Sequence, residues 1–215
     1  MAFADGTGWV GGGEGLSRGA VLKGALAASA VAGLGVAGPL VRGSLAAGGA
    51  SEIDTLNFLL KFEYLEFELY DGAMSRLKAG DETMRLVETI AAQERQHVEA
   101  LVEHIGKLHG EPIPRPGYAS FSYRPNSVDT FLLIARELET AVIGAYNGAI
   151  PSLISKEALR LATSIVQVEG RHAAAVALQR GEPPAPRAFD QGQTEYQSLN
   201  SVVKYTGPAI FREAG

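Results

Sequence analysis

The feature that most constrains this chain is a pattern of acids, tyrosines and histidines that occurs twice. In each half a glutamate is followed seven residues later by a tyrosine, and further along the chain by a Glu-x-x-His pair. The residues are Glu63, Tyr70, Glu94 and His97 in the first half, and Glu139, Tyr146, Glu169 and His172 in the second. A glutamate and a histidine three positions apart project from the same side of a helix. The repeat therefore predicts two equivalent pairs of helices whose polar groups meet at one level.

Four segments with helical periodicity make up residues 51–181. We predict helices over residues 52–78, 81–110, 127–151 and 155–181. Ser51 and Asp54 form a capping pattern at the first start, and glycines mark the ends of the first two helices. Pro151 ends the third helix, because its ring clashes with the preceding turn and it has no N–H to donate. The sequence therefore predicts an all-α fold.

The lengths of the connections select one arrangement of the four helices. Helices one and two are joined by a few residues, as are helices three and four, whereas residues 111–126 separate helix two from helix three. That segment contains four prolines and is predicted to be one long, extended crossover of a four-helix bundle. The proline-rich residues 182–215 are predicted to form an irregular tail without a short fifth helix.

Composition excludes several kinds of site. The 215 residues include no cysteine, so disulfides, thiolate ligands, iron–sulfur clusters and thiol nucleophiles are ruled out. Any metal must therefore be bound by histidine and carboxylate groups. The formal net charge is -5, and no cluster of basic residues alternates with aromatic ones, so nucleic acid is not an expected partner.

Residues 1–50 have the pattern of an export leader. A glycine-rich start leads into residues 17–23, which resemble a twin-arginine signal except that Gly19 stands in place of the second arginine and Val21 in place of the phenylalanine. A mildly apolar stretch follows over residues 24–41, and small residues at 44–46 and 48–50 offer cleavage sites. We predict export to the periplasm or cell envelope, with membrane attachment only if the leader stays uncleaved. The alternative is a disordered extension of a cytoplasmic protein.

Six residues are candidate metal ligands. They are Glu63, Glu94, His97, Glu139, Glu169 and His172. Apolar neighbours on the same helix faces predict that Glu63 and Glu139 are buried. Burying four carboxylates together is very costly without cations, and two divalent ions would neutralise them. The alternative is a set of structural ion pairs with Arg95, Arg136 or Arg171.

Alignment of the two halves chooses between neighbouring acids. Glu63 aligns with Glu139, whereas Glu66 aligns with Val142. Glu137 lies two residues from Glu139, which is about 200° around a helix, and so faces away from it. We therefore prefer Glu63 to Glu66, and Glu139 to Glu137, as ligands.

The remaining tyrosines and histidines of the pattern have supporting roles. Tyr70 and Tyr146 are predicted to lie in the core and to orient a ligand carboxylate by a hydrogen bond rather than to act in redox chemistry. His104 has no acid three positions before it and no counterpart in the repeat, and His109 lies at a helix end. Neither is predicted to be a ligand.

Residues 52 to about 180 resemble the ferritin-like superfamily, and more closely its exported and desiccation-related members. Those proteins carry a Leu-Glu-x-Leu-Glu-x-x-x-Tyr segment, which residues 62–70 match with Phe62 in the first place. The resemblance implies a ferritin-like bundle that holds a non-haem di-iron or di-manganese centre. In that centre Glu94 and Glu169 would bridge two ions, while Glu63, Glu139, His97 and His172 would each cap one.

The resemblance also implies an activity. Two Fe(II) ions would be bound and oxidised by dioxygen or hydrogen peroxide, as in a ferroxidase, in protection against oxidative or desiccation stress. One alternative is a stress or envelope protein in which the metals only stabilise the bundle, and another is a di-manganese or di-iron oxidase. A homo-oligomer is compatible with these expectations. A mineral-storing cage is not expected, because no fifth helix is predicted.

Overall fold

The computed structural model describes residues 51–115 and 125–207 as an all-α bundle. These residues form α1 (Glu52–Arg76), α2 (Asp81–Lys107), α3 (Val128–Ala149), α4 (Lys156–Gln179) and α5 (Glu195–Thr206), with a 3₁₀ turn at Ile150–Ser152. The four long helices confirm the prediction, and each ends within one turn of its expected bounds. In the described ranges, no helix combines the length and the apolar character needed to cross a membrane. The predicted leader and residues 116–124 of the crossover lie outside the described residues.

Local signals in the sequence set the ends of the helices. The side chains of Ser51, Ser127 and Ser155 each accept a hydrogen bond from a backbone N–H in the first turn of α1, α3 and α4. Each bond satisfies a donor that the helix itself leaves without a partner. At the end of α2, His109 adopts a left-handed backbone conformation with φ 59, and Gly110 donates its N–H back to the last turn.

The four long helices pack in a ring. α1 contacts α2 and α3, and α4 contacts the same two helices. Most residues of α1 and more than half of those of α3 are buried, whereas α2 and α4 bury one face each. The rings of Tyr70 and Phe131 meet edge to face at 5.5 Å between α1 and α3. Each of the four long helices therefore contributes buried residues to one shared core.

The prediction of an irregular tail without a fifth helix is wrong. α5 begins after a capping box formed by Thr194 and Gln197, and it packs against α3. The tail comes so close to α3 that a Cβ atom added to Gly148 would lie 1.8 Å from the carbonyl oxygen of Gln193. Pro183, Pro184 and Pro186 precede the helix and do not interrupt it, and the capping box is the sequence signal that indicates it. The helix also removes the sequence-based reason against a storage cage.

Candidate metal centre

All six predicted ligands come together in the core of the bundle. α1 contributes Glu63, α2 contributes Glu94 and His97, α3 contributes Glu139, and α4 contributes Glu169 and His172. The four carboxylate residues are 0% exposed, and the two histidines are 8% and 4% exposed. The spacing of three residues on α2 and α4 turns both members of each pair toward the same interior space.

The six residues form two overlapping groups of four. The His97 cluster consists of Glu63, Glu94, His97 and Glu169, and the His172 cluster consists of Glu94, Glu139, Glu169 and His172. In each cluster, one possible ligand atom from every residue lies within 4.8 Å of the others. Glu94 and Glu169 belong to both clusters. The arrangement therefore provides two adjacent ion positions with two carboxylates in common.

Each shared carboxylate turns one oxygen toward each histidine. Oε1 of Glu169 lies 2.9 Å from Nδ1 of His97, and its Oε2 lies 3.2 Å from Nδ1 of His172. Glu94 has the converse arrangement, with Oε1 2.9 Å from His172 and Oε2 3.3 Å from His97. A carboxylate whose two oxygens face two different positions is placed to bridge two cations.

The histidines do not satisfy the carboxylate oxygens that surround them. An imidazole Nδ1 carries at most one proton, yet three carboxylate oxygens lie within 3.3 Å of Nδ1 of His97. In the described part of the chain, four oxygens of the clusters are buried without a hydrogen bond: Glu63 Oε2, Glu94 Oε1, Glu139 Oε2 and Glu169 Oε1. For Glu94 the contact with His172 is close, but it is not aligned as a hydrogen bond.

Divalent cations fit this set of donors. Buried acceptors without a donor are costly, and a cation coordinated by carboxylate and imidazole groups satisfies several of them at once. Two ions carry four positive charges, which balance the four carboxylates of the two clusters. The six residues are therefore suited to hold a pair of divalent ions.

Two tyrosines cross between α1 and α3. Tyr70 on α1 donates its hydroxyl hydrogen to Oε1 of Glu139 on α3, and Tyr146 on α3 donates to Oε1 of Glu63 on α1. Both distances are 2.5 Å, and both tyrosines are buried. Each hydroxyl holds one oxygen of a carboxylate, so the other oxygen is left to face the histidines. These are the hydrogen bonds to candidate ligands that the repeat predicted.

The crowded charges shift the pKa values of the site. Burial lowers the pKa of His97, but its contacts with Glu169, Glu63 and Glu94 outweigh burial and raise the pKa to about 12. The same balance raises the pKa of His172 to about 10. Burial, reinforced by the charge of Glu169, raises the pKa of Glu63 to about 8. Protons therefore neutralise the clusters in the absence of metal, and a metal ion must displace them in order to bind.

Gln93 is a site residue that the sequence reasoning did not find. Its side-chain Oε1 lies 2.6 Å from Nε2 of His172, and an amide oxygen can only accept, so Nε2 carries a proton. In a neutral imidazole this leaves the lone pair on Nδ1, which is the atom that faces the carboxylates. The repeat gave no signal for Gln93, because Val168 holds the equivalent position before Glu169.

The two acids that were not preferred as ligands have different surroundings. Glu137 faces the tail, where its carboxylate accepts hydrogen bonds from Tyr205 and Lys204. Glu66 lies in the core, is 0% exposed, and has no hydrogen bond to either oxygen within the described residues. The preference for Glu139 over Glu137 agrees with these positions. Glu66, in contrast, is buried in the same core as the clusters but belongs to neither of them.

The three arginines proposed as ion-pair partners lie elsewhere. Arg136 pairs with an acid of the tail at 3.7 Å, Arg95 lies over an aromatic ring of α1 at 5.7 Å, and Arg171 is exposed. Within residues 51–115 and 125–207, none of them forms an ion pair with a candidate ligand. His104 and His109 belong to neither cluster. These arginines and histidines therefore do not balance the buried acids of the clusters.

Comparison with known proteins agrees with this architecture. A family model for a ferritin-like domain matches residues 51–182, which include α1 to α4 and all six candidate ligands. A search of curated proteins gave no match. The matched segment covers well over half of the chain. The chain therefore belongs to the ferritin-like domain family, and its buried carboxylate and histidine clusters are compatible with a dinuclear metal site.

Proposed function

We propose that this protein binds two iron ions in the core of its bundle and oxidises Fe(II) with dioxygen or hydrogen peroxide. The supporting observation is that two buried clusters of four residues share Glu94 and Glu169. Shared carboxylates hold two ions side by side, so that two Fe(II) together supply the two electrons that one molecule of oxidant takes up. A single isolated site would supply only one.

The electron and proton balance is simple for either oxidant. With hydrogen peroxide, two Fe(II) and two protons give two Fe(III) and two water molecules. With dioxygen, two Fe(II) and two protons give two Fe(III) and one hydrogen peroxide. In both cases Fe(II) is oxidised, the O–O unit is reduced, and the protons are taken from the surroundings.

The residues of the chain bind and orient in this scheme. The hydroxyls of Tyr70 and Tyr146 fix one oxygen of Glu139 and Glu63, so the other oxygen of each is directed to an ion position. The side-chain oxygen of Gln93 accepts a hydrogen bond from Nε2–H of His172, which leaves Nδ1 free to coordinate. Burial excludes bulk water and strengthens the attraction between the carboxylates and bound cations.

Manganese is the alternative ion. Carboxylate oxygens and imidazole nitrogens suit both iron and manganese, and no thiolate is present to favour a softer metal. A di-manganese or di-iron oxidase is therefore the alternative activity. Metal analysis of protein produced with both metals available, followed by activity measurements on each form, distinguishes the two.

Anaerobic loading with Fe(II), followed by addition of either oxidant, tests the proposal. We expect metal-free protein to bind two Fe(II) per chain and to oxidise them faster than buffer does. Glu94→Ala should abolish binding of both ions, because Glu94 belongs to both clusters. Glu99→Ala is the matched control, since Glu99 lies on the same helix but is exposed.

Each result leads to a different conclusion. Oxidation no faster than the buffer blank would refute the catalytic proposal. Tight binding of two ions without oxidation would favour the alternative, a stress or envelope protein that metals stabilise. Metal content that is unchanged in Glu94→Ala would reject the site itself.

We also propose that the protein works outside the cytoplasm, in the periplasm or cell envelope, and protects against oxidative or desiccation stress. The leader-like pattern of residues 1–50 supports this setting. Fractionation of cells that express the full chain, with N-terminal sequencing of the exported form, is the test. Retention of the uncleaved chain in the cytoplasm would exclude export.

A further inference from the structure

We propose that Glu66 is a further metal ligand, a fifth carboxylate that binds the ion of the His172 cluster. This inference rests on the proposed dinuclear site and goes beyond it, because the repeat supplies only six ligands. Val142 holds the position on α3 that corresponds to Glu66 on α1. The two ion positions therefore differ, although their predicted ligands are related by the repeat.

Glu66 is the least satisfied carboxyl group of the core. It is 0% exposed, and neither of its oxygens takes part in a hydrogen bond among the described residues. Each of the four carboxylates of the two clusters keeps one hydrogen-bonded oxygen, through a tyrosine hydroxyl or a histidine Nδ1. A buried carboxyl group normally has a hydrogen-bond or metal partner, and the described side chains provide none for either oxygen of Glu66.

The largest electrostatic effects on Glu66 come from other acids. It lies one helical turn after Glu63, so both side chains face the same interior. Burial raises the pKa of Glu66 well above its usual value, and the negative charges of Glu139, Glu169, Glu94 and Glu63 raise it further, in that order of size. Glu66 lies outside both groups of ligand atoms within 4.8 Å, so it reaches an ion only if its carboxyl group turns toward one of them. We assign it to the His172 cluster because that cluster has no residue from α1, whereas the His97 cluster already has Glu63.

A cation bound in the His172 cluster would satisfy Glu66. Without one, the carboxyl group keeps its proton and has no acceptor for it, and with one, it can ionise and coordinate. The His172 cluster consists of four residues, two of which are shared with the other ion. Iron and manganese commonly take more ligand atoms than such a set supplies, so the position can accept a further oxygen.

The His172 side is also the better organised of the two. Gln93 holds Nε2 of His172 at 2.6 Å. No residue in the described ranges forms a hydrogen bond with Nε2 of His97. An oriented imidazole and an additional carboxylate both favour tight coordination. We therefore expect the position in the His172 cluster to be filled first.

Titration of the metal-free protein with Co(II) tests the inference, because the absorption bands of Co(II) report the number and kind of its ligands. Wild-type protein should bind two Co(II) per chain, one more tightly than the other. Glu66→Gln keeps the volume of the side chain and removes its charge, so it should weaken the tighter site about 10-fold or more and change its spectrum. Glu68→Gln is the matched control on α1, since Glu68 is buried but pairs with Arg115 outside the clusters.

Two further backgrounds locate the effect. Glu63→Ala removes a residue of the His97 cluster only, so the remaining Co(II) should occupy the His172 cluster, and adding Glu66→Gln should weaken it. Glu139→Ala removes a residue of the His172 cluster only, so the remaining Co(II) should be insensitive to Glu66→Gln.

The outcomes separate this inference from the proposed function. If wild-type protein binds none of Co(II), Fe(II) and Mn(II), the dinuclear site fails and this inference fails with it. If wild type binds two Co(II) and Glu66→Gln matches it in affinity and spectrum, only the role of Glu66 is refuted. An effect seen only in the Glu139→Ala background would overturn the assignment to the His172 cluster. Circular dichroism checks folding, and Glu66→Leu, with the same expected losses, replaces Glu66→Gln if that variant does not fold.

Discussion

The hydroxyl group of Tyr146 allows a direct measurement of how the core stabilises its carboxylates. It donates a 2.5 Å hydrogen bond to Oε1 of Glu63, and both residues are fully buried. Tyr146→Phe removes the hydroxyl and keeps the ring, so it leaves no large cavity. The expected loss of stability therefore comes from one hydrogen bond and from the carboxyl group that loses it.

The size of the loss follows from the surroundings of Glu63. The pKa of about 8 keeps Glu63 largely protonated at neutral pH in the metal-free protein. The relevant quantity is therefore the cost of a buried acceptor left unsatisfied, which is about 1–3 kcal/mol. Oε2 of Glu63 already lacks a hydrogen bond in the described residues, so Tyr146→Phe leaves both oxygens without one. We expect the free energy of unfolding of the metal-free protein to fall by about 2–3 kcal/mol. At about 2–4 °C per kcal/mol for a domain of this size, Tm should fall by about 4–12 °C.

Urea unfolding of metal-free protein, followed by circular dichroism, measures this change. Tyr70→Phe should cost about as much, because Tyr70 makes the same bond with Glu139. Tyr64→Phe is the control, since its hydroxyl lies 3.4 Å from a carbonyl oxygen at the edge of the core, and its loss should stay below about 1 kcal/mol. If Tyr146→Phe costs no more than Tyr64→Phe, the hydrogen bond to Glu63 does not stabilise the core as reasoned.

The site and the tail provide three more tests. Gln93→Leu should weaken one of two Co(II) sites about 10-fold in calorimetric titrations, because Nε2 of His172 loses its acceptor. The pKa values of His97 and His172 are raised to about 12 and about 10 in the folded protein. The stability that these raised pKa values give the metal-free protein is therefore complete below the unfolded pKa of 6.5 and is lost as pH rises from there through 10 to 12. A free energy of unfolding in urea that increases over this pH range would contradict the prediction. Gly148→Ala should cost about 1–3 kcal/mol and expose the tail to protease, because the added Cβ would lie 1.8 Å from a tail carbonyl oxygen, whereas Gly170→Ala, with nothing within 4 Å, should not.

The long helices could be predicted from the sequence because each is marked locally. Serines stand at three of the starts, and the apolar positions recur with the helical period. The preference for Glu63 and Glu139 came from the repeat, which compares residues that occupy equivalent places in two similar helical pairs. Such a comparison reports what the two halves share. The spacing of the repeat along the chain was enough to predict that Glu63 and Glu139 lie at the same height in the bundle.

The tail helix was missed for a physical reason. Helix α5 is short, and a helix of 12 residues is marginal by itself. Its stability comes from packing against α3, where Leu199 and Val202 are buried. Composition around residues 183–186 pointed to a loop, and only the capping box of Thr194 and Gln197 pointed to a helix. Packing against α3 stabilises the helical conformation of this segment, and this contact cannot be read from the local sequence.

Gln93 was missed, and Glu66 was set aside in favour of Glu63, because neither has a polar counterpart in the repeat. Their counterparts, Val168 and Val142, are apolar, so alignment of the halves discards both residues. Yet Gln93 reaches the site through a hydrogen bond to His172, and Glu66 lies in the same core with both carboxyl oxygens unpartnered among the described residues. The repeat therefore identifies the six candidate ligands, and departures from it identify residues that would make the two proposed ion positions unequal.

A count of charges shows why that inequality matters for oxidation. Four carboxylates balance two divalent ions, so a fifth carboxylate that ionises at Glu66 gives the centre one excess negative charge. Buried net charge is unfavourable. For the same reason, burial and the neighbouring acids raise the pKa of Glu66 in the absence of metal, so that its neutral form is favoured. Oxidation of both ions adds two positive charges, so the centre would carry one excess positive charge with Glu66 ionised and two without it. Ionised Glu66 would therefore favour the oxidised ion pair over the reduced one, which is the direction that the proposed ferroxidase reaction requires.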